Sequence, residues 1–340
     1  MRRQGFTLPA VLAVVGVVTI VFLVAITALS SLEGEAAAAR SRVAFTTRAM
    51  SAEARLTFLA ITEPFGQRAI MVGAPRSNVF SDEAAPEPPE PGPGESRLFL
   101  DGRPYRIEDP EAVDVRVQDE AGQFNLAGPQ PEALARLFRR LGVTAGFDRL
   151  VQVFQDYEDT DDLRKQDGGE RESYPAGGPP NRPLRLPDEL LNIRGVREAV
   201  DPEAWRRMRP HLRSGVVPYE SNINTAPAEV LEIWFDLSPA EARQAIVARE
   251  GQAFGSIEAM GETIGRQLPA SELPFTLPSG SVSVEIIDIR SPWRYRARLI
   301  TTPLDPYRPF WVEQAQVSQD ARGEATTGRQ DVERFPDPAN

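Results

Sequence analysis

Asp156, Asp159, Asp161 and Glu170 stand close together in the chain. Their carboxylates supply hard oxygen ligands, the donor type of a calcium site, which takes roughly six to eight such atoms in flexible geometry. The spacing is not that of an EF-hand loop, and a run of acids is also the pattern of a solvated face, so both readings stand. The same residues make a poor acid/base pair, because no apolar stretch surrounds them that would raise one carboxyl above another. With no cysteine and a single histidine, His211, the chain has no thiol nucleophile, disulfide or thiolate metal site, and histidine-based metal clusters are excluded. His211 in WRRMRPHLRSG reads as a solvated or capping side chain, which leaves hydrolase triads without a base.

What positions these residues begins at the N-terminus. From Phe6 to Leu29 there is no charged residue, and at about 1.5 Å per residue a helix of this length reaches roughly 36 Å, enough to cross a hydrocarbon core. Arg2 and Arg3 precede it and favour a cytoplasmic N-terminus with the rest of the chain exported. The apolar run is longer than that of an ordinary secretory signal. Gly5-Phe6-Thr7-Leu8 ahead of an apolar helix resembles the type IV pilin class of signal. The resemblance implies cleavage after Gly5 by a prepilin peptidase and N-methylation of the new terminal Phe6.

The formal charge of −11 becomes −13 when Arg2 and Arg3 leave with such a leader. An exported part this acidic repels nucleic acid and anionic membrane surfaces, so neither is expected as a partner.

No proline interrupts the sequence between Pro9 and Pro64. Ala36, Ala39, Val43, Met50, Ala54, Phe58 and Ile61 recur at helical spacing, which predicts that the helix continues with this stripe laid on a sheet. Glu33, Glu35, Arg40, Arg42, Arg48, Glu53 and Arg55 fall on the other side. The expected organisation is a leader (1–5), a membrane span (6–29), an exported helix (30–62) and a β region (63–127) holding a Pro-rich loop at 81–94. An all-α insertion (128–218), a helical hairpin region (219–275), antiparallel strands (279–319) and a disordered tail (320–340) follow. In the β region Asp101-Gly102 predicts a hairpin turn between strands at 97–100 and 105–107. Asp201-Pro202-Glu203 and Ser238-Pro239-Ala240-Glu241 carry helix-start chemistry. The fold class is α+β.

Four segments carry a family resemblance: Asp119-Glu120-Ala121-Gly122-Gln123-Phe124-Asn125-Leu126, the acidic run Asp156 to Asp162, Asn181-Arg182-Pro183-Leu184 before Glu189-Leu190, and Asn222-Ile223-Asn224-Thr225-Ala226-Pro227. With the pilin-like start, they resemble the K component of the type II secretion system, the minor pseudopilin also called general secretion pathway protein K. The resemblance implies a pilin-like long helix packed on an antiparallel sheet, with a large inserted all-α domain and no catalysis. It also implies the bacterial inner membrane before assembly and the tip of a periplasmic pseudopilus after it, with other minor pseudopilins and the major pseudopilin as partners and secreted cargo as a further one. Calcium occurs in the family. Ordinary pilins carry glutamate at the fifth mature position, and Ala10 follows the departure of the K component. The alternatives are a minor pilin of a type IV pilus or DNA-uptake system, and a membrane-anchored helix-hairpin-helix nucleic-acid binder. The second lacks the glycine hairpin between its helices and is acidic where phosphate would bind.

Overall fold

The computed structural model describes residues 7–74, 95–108, 112–174, 178–215, 221–268, 276–288, 290–302, 305–319 and 332–336. Gly5, Phe6 and the 81–94 loop lie outside them, and of Ala10 only the helical backbone is described.

Helix α1 (Thr7–Thr62) is continuous over 56 residues. Its apolar half makes no contact that buries it, and it is long and apolar enough to cross a membrane. The exported half packs on a sheet, but through a different stripe from the one the spacing predicts. Phe45, Ala49, Ala52, Leu56, Leu59 and Ala60 are buried, whereas Val43, Met50 and Phe58 are 67%, 60% and 53% exposed. The charge pattern misleads because Arg48 and Glu53 do not mark a solvent face. Arg48 Nη2 reaches Asp288 Oδ2 at 2.5 Å, and Glu53 accepts the Tyr295 hydroxyl. Two apolar stripes therefore run along this half of the helix, and only one meets the sheet.

After α1 come β1 (Ala69–Val72), β2 (Ser96–Phe99), β3 (Asp101–Ile107) and β4 (Val113–Asp119). Asp101-Gly102 does not form the expected hairpin turn. β2 pairs with β1, while β3 pairs antiparallel with β4 through a register shift between Asp101 and Pro104. Gly102 takes φ 79° there, a left-handed conformation that suits glycine.

The chain then leaves the sheet through β5 (Phe124–Asn125), α2 (Pro131–Arg140), α3 (Phe147–Glu158), α4 (Val196–Ala199), α5 (Pro202–Met208) and β6 (Leu212–Arg213). It continues through α6 (Ala228–Phe235), α7 (Pro239–Gly251) and α8 (Ile257–Ile264). Asp201 caps α5 by accepting from Glu203 N at 2.9 Å, and Ser238 with Glu241 closes a capping box on α7. One apolar core runs from Phe124 to Leu268, so the insertion and the helical hairpin region form one unit, with shared side chains such as Leu137, Phe154, Val230 and Met260.

The chain returns through β7 (Ser281–Ile287), β8 (Trp293–Thr301) and β9 (Phe310–Gln319). With β10 (Glu333–Arg334) the six-stranded order is β10-β3-β4-β7-β8-β9. All pairs are antiparallel except the last strand to arrive, β10, which runs parallel to β3. This corrects the disordered-tail expectation for 332–336: Phe335 is buried with its ring edge-on to Tyr105 at 6.4 Å, and its N–H bonds Arg106 O. An aromatic anchor supplies burial that composition alone does not reveal.

Truncation tests which stripe of α1 meets the sheet. Leu56→Ala should lower stability by about 2–5 kcal/mol, while Phe58→Ala should stay within about 0.5 kcal/mol. Denaturant unfolding of the two variants reads this directly, and the opposite ranking would place the other stripe on the sheet.

Candidate functional site: the acidic loop and the domain junction

The acidic loop leaves the last turn of α3. Asp156 is buried there and accepts from Gly169 N at 2.9 Å, Lys165 N at 3.1 Å and Lys165 Nζ at 3.1 Å. Gly168 passes so close to this carboxylate that a Cβ would collide with it. Lys165 Nζ also reaches Asp159 Oδ2 at 2.8 Å. The ammonium thus bridges two of the four predicted carboxylates.

Glu170 is 3% exposed, and neither of its oxygens receives a hydrogen bond; burial raises its pKa, and the charges of Asp156 and Asp159 raise it further. Asp159 Oδ1 is likewise buried without a donor. Asp161 stands apart: it is exposed, and its Oδ1 accepts from Leu163 N at 2.8 Å. Asn181 donates to Asp161 O at 3.0 Å and Asp162 Oδ1 at 3.2 Å, and its own Oδ1 is buried with no donor. Among the described residues no three carboxylates converge as a ligand group, so the four-acid set is not assembled as a unit. Lys165 and Asn181 were missed as members of the site. The glycines beside Glu170 were the available signal for close approach.

Beside the loop, Glu158 ties two strands of backbone together, accepting from Leu184 N at 3.1 Å and Gly128 N at 3.2 Å. Burial pushes its carboxyl up to about 7. His211, half-buried after α5, is held below its ordinary pKa by burial, with Glu229 acting in the opposite sense.

The junction between sheet and helical unit is built on Asp119, the last residue of β4, which is fully buried. Its Oδ1 accepts from Ala121 N at 3.0 Å, Ser279 N at 2.9 Å and Ser279 Oγ at 2.9 Å. Its Oδ2 accepts from Thr225 Oγ1 at 2.8 Å and Asn222 Nδ2 at 3.1 Å. Burial pushes this carboxyl up, while the hydrogen bonds from Ser279, Thr225 and Ala121 pull the other way by stabilising the anion. Asn222 Nδ2 also donates to Gln67 O at 2.9 Å, which ties the segment after α1 to the same point. Gly122 is required by contact: a Cβ there would lie 2.7 Å from Thr225 Oγ1 and 2.8 Å from its carbonyl carbon.

The 222–227 segment is fixed by a second set of bonds. Asn224 pairs with both backbone groups of Phe254, accepting at 2.7 Å and donating at 3.0 Å. Arg249 Nη1 donates to Ile223 O at 2.6 Å and Ala226 O at 2.7 Å. Two of the four segments quoted from the sequence are therefore the two sides of one hydrogen-bonded joint.

Asp119→Ala leaves five donors without their acceptor and should cost about 3–5 kcal/mol. Thr225→Val removes one donor and should cost about 1–2 kcal/mol. Denaturant midpoints check the order; equal losses would mean that the carboxylate is not the hub.

Two models of one family, each described as "Type II secretion system (T2SS), protein K", match residues 117–213 and 221–284. Type II secretion system protein K of Pseudomonas aeruginosa is 29% identical over 169 residues, covering 45% of this chain and 49% of that protein, so the chain matches about half the length of this curated relative. A chain from the crystal structure of the GspK-GspI-GspJ complex of the enterotoxigenic Escherichia coli type 2 secretion system aligns at TM-score 0.46 and 19% identity, covering 64% of this chain and 83% of that one. The first matched stretch opens on β4 and Asp119, and the second opens at Ser221, beside Asn222, and runs into β7. Both sides of the joint thus fall within sequence that resembles the type II secretion system protein K family.

Proposed function

We propose that this chain is a minor pseudopilin of the type II secretion system, anchored in the bacterial inner membrane by α1, that caps the tip of the periplasmic pseudopilus and so supports protein export. The observation that carries the reading is the second apolar stripe of α1. Val43, Met50, Phe58 and Ile61 are exposed along the exported half, on the same helix as the apolar span. A helix that has already buried one face in its own sheet keeps this one for the helices of other pseudopilins.

Ala10 supports the tip position. In a pilin bundle the fifth-residue carboxylate neutralises a neighbour's α-amine, and an unpaired charge there costs several kcal/mol. A first subunit has no neighbour above it to neutralise. The helical unit from Phe124 to Leu268 adds bulk that hinders further subunits above it. Maturation is cleavage after Gly5 by prepilin peptidase with methylation of Phe6. No reaction is assigned to the chain and no nucleic acid to its partners.

The loop after α3 fits calcium in donor chemistry. The acceptors left without hydrogens, Glu170 Oε1 and Oε2, Asp159 Oδ1 and Asn181 Oδ1, are all oxygens. A divalent ion held by Asp159 and Glu170, with Asp156 beside them, would take over the charge now supplied by Lys165, whose side chain is 36% exposed. Asp161 is then not a ligand, because its carboxylate turns to the Leu163 amide.

The tip reading is tested on assembled fibres of protein whose intact mass begins at methylated Phe6. A reagent specific for the helical unit should mark one end only; regular marking along the shaft would defeat capping, and an uncut or differently cut N-terminus would defeat the pilin reading. For calcium, the thermal midpoint of the full chain should rise with millimolar calcium over chelator, and Glu170→Gln should abolish the rise. Identical midpoints with and without the ion would rule the site out.

A further inference from the structure

The sheet has one face turned to α1 and one turned away. Val115, Val284 and Ala297 are among the core residues on the helix side. The alternate residues form a polar face in register across the strands. One row runs Pro104, Arg116, Glu285, Arg296, Gln316, and the next runs Gln118, Ser283, Arg298, Glu313. Six arginines stand on this face, since Arg106 and Arg294 share the row beyond and the exposed Arg334 of β10 is in register with Arg106.

Four of them are already matched. Arg106 Nε meets Asp114 at 2.8 Å, Arg298 meets Glu120 at 2.7 Å, and Arg294 and Arg296 meet the same Glu285 oxygen at 3.1 and 2.9 Å. Arg116 lies directly across from Glu285, whose Oε1 is shared by Arg294 and Arg296 and whose carboxylate forms no ion pair with Arg116. Its Nε is buried and bonds nothing. In a chain of formal charge −11, the face thus keeps at its centre one half-buried guanidinium, that of Arg116, without an acid among the described residues.

We propose that this outer face of the sheet is an interaction surface for an acidic segment of a partner protein, with Arg116 as the residue that receives its carboxylate. A guanidinium binds a carboxylate by paired charge-assisted bonds, which are stronger than neutral ones, and half-burial limits screening by salt. Half-buried Ile287 and Ile300 and the 40%-exposed Trp311 lie on or beside the rows, so an apolar rim surrounds the charge, as suits a peptide or loop rather than a free ion. A lipid headgroup is out of reach. The membrane-proximal start of β8 is level with Arg42, whose guanidinium stacks on Trp293 at 5.6 Å, and helix α1 rises about 20 Å between Leu29 and that point.

The test uses the full chain in phosphatidylcholine nanodiscs and a fluorescein-labelled hexaglutamate peptide, read by anisotropy at low ionic strength. The peptide should bind, and Arg116→Ala should weaken it at least about fivefold. Arg206→Ala on the exposed face of α5 should leave binding unchanged. Glu285→Gln, which releases Arg294 and Arg296, should tighten it, and this holds the proposal open to test even if Arg116→Ala misfolds. Unchanged affinity in both Arg116→Ala and Glu285→Gln overturns the assignment. So does displacement of the peptide by phosphatidylglycerol vesicles, or by sulfate beyond the effect of chloride at matched ionic strength, since a lipid or a free ion would then be the ligand.

Discussion

A single buried carboxylate holds this protein's two parts in register. Asp119 ends the central strand β4, and its five donors come from the chain leaving the sheet, the chain entering the helical unit's second half, and the chain returning to β7. A carboxylate without cation or donors would cost several kcal/mol in such a place. With five donors it becomes a joint that few other side chains could make. Gly122 and the Asn222–Ala226 turn are shaped around it, and Arg249 satisfies the carbonyls that the turn leaves over. An insertion of this size can remain fixed to a sheet because its exit and return strands meet at one charged point.

Helix α1 shows how one element serves two environments. Its first half has apolar side chains on every side and, among the described residues, none buried within the protein, as a lipid-facing helix requires. Its second half has two apolar stripes separated by side chains such as Arg48 and Glu53, which reach down to Asp288 and Tyr295 on the sheet. The stripe bearing Phe45, Leu56 and Leu59 completes the fold, and the one bearing Val43, Met50 and Phe58 stays exposed.

The acidic loop and the outer face of the sheet follow the same electrostatic rule with opposite sign. In the loop, acids outnumber the one ammonium, and Glu170 is left with acceptors only. On the sheet, arginines outnumber acids, and Arg116 is left with donors only. Each imbalance marks the chemistry of what would complete it: a hard cation in the first case, a carboxylate in the second.

The sequence alone determined the features that depend on local spacing and side-chain type. The apolar length of α1, the caps at Asp201 and Ser238, the alternation in β4, β7 and β8 and the motifs at 119–126 and 222–227 were all legible because each is set by residues a few positions apart. Tertiary structure decided whatever required a choice between equivalent local options. Both stripes of α1 satisfy helical periodicity, and only the sheet selects Leu56 over Phe58. Asp101-Gly102 suits a hairpin turn or a bulge, and the pairing of β2 with β1 leaves it the bulge. Glu333 to Phe335 has too little apolar content to announce a strand, but Phe335 finds a pocket beside Tyr105. In the acidic loop the count of carboxylates was visible in sequence, yet which of them lose water, and that Lys165 rather than Asp161 stands among them, depends on how the chain folds back over α3. Burial is a property of neighbours far apart in the chain, and no short run of residues contains it.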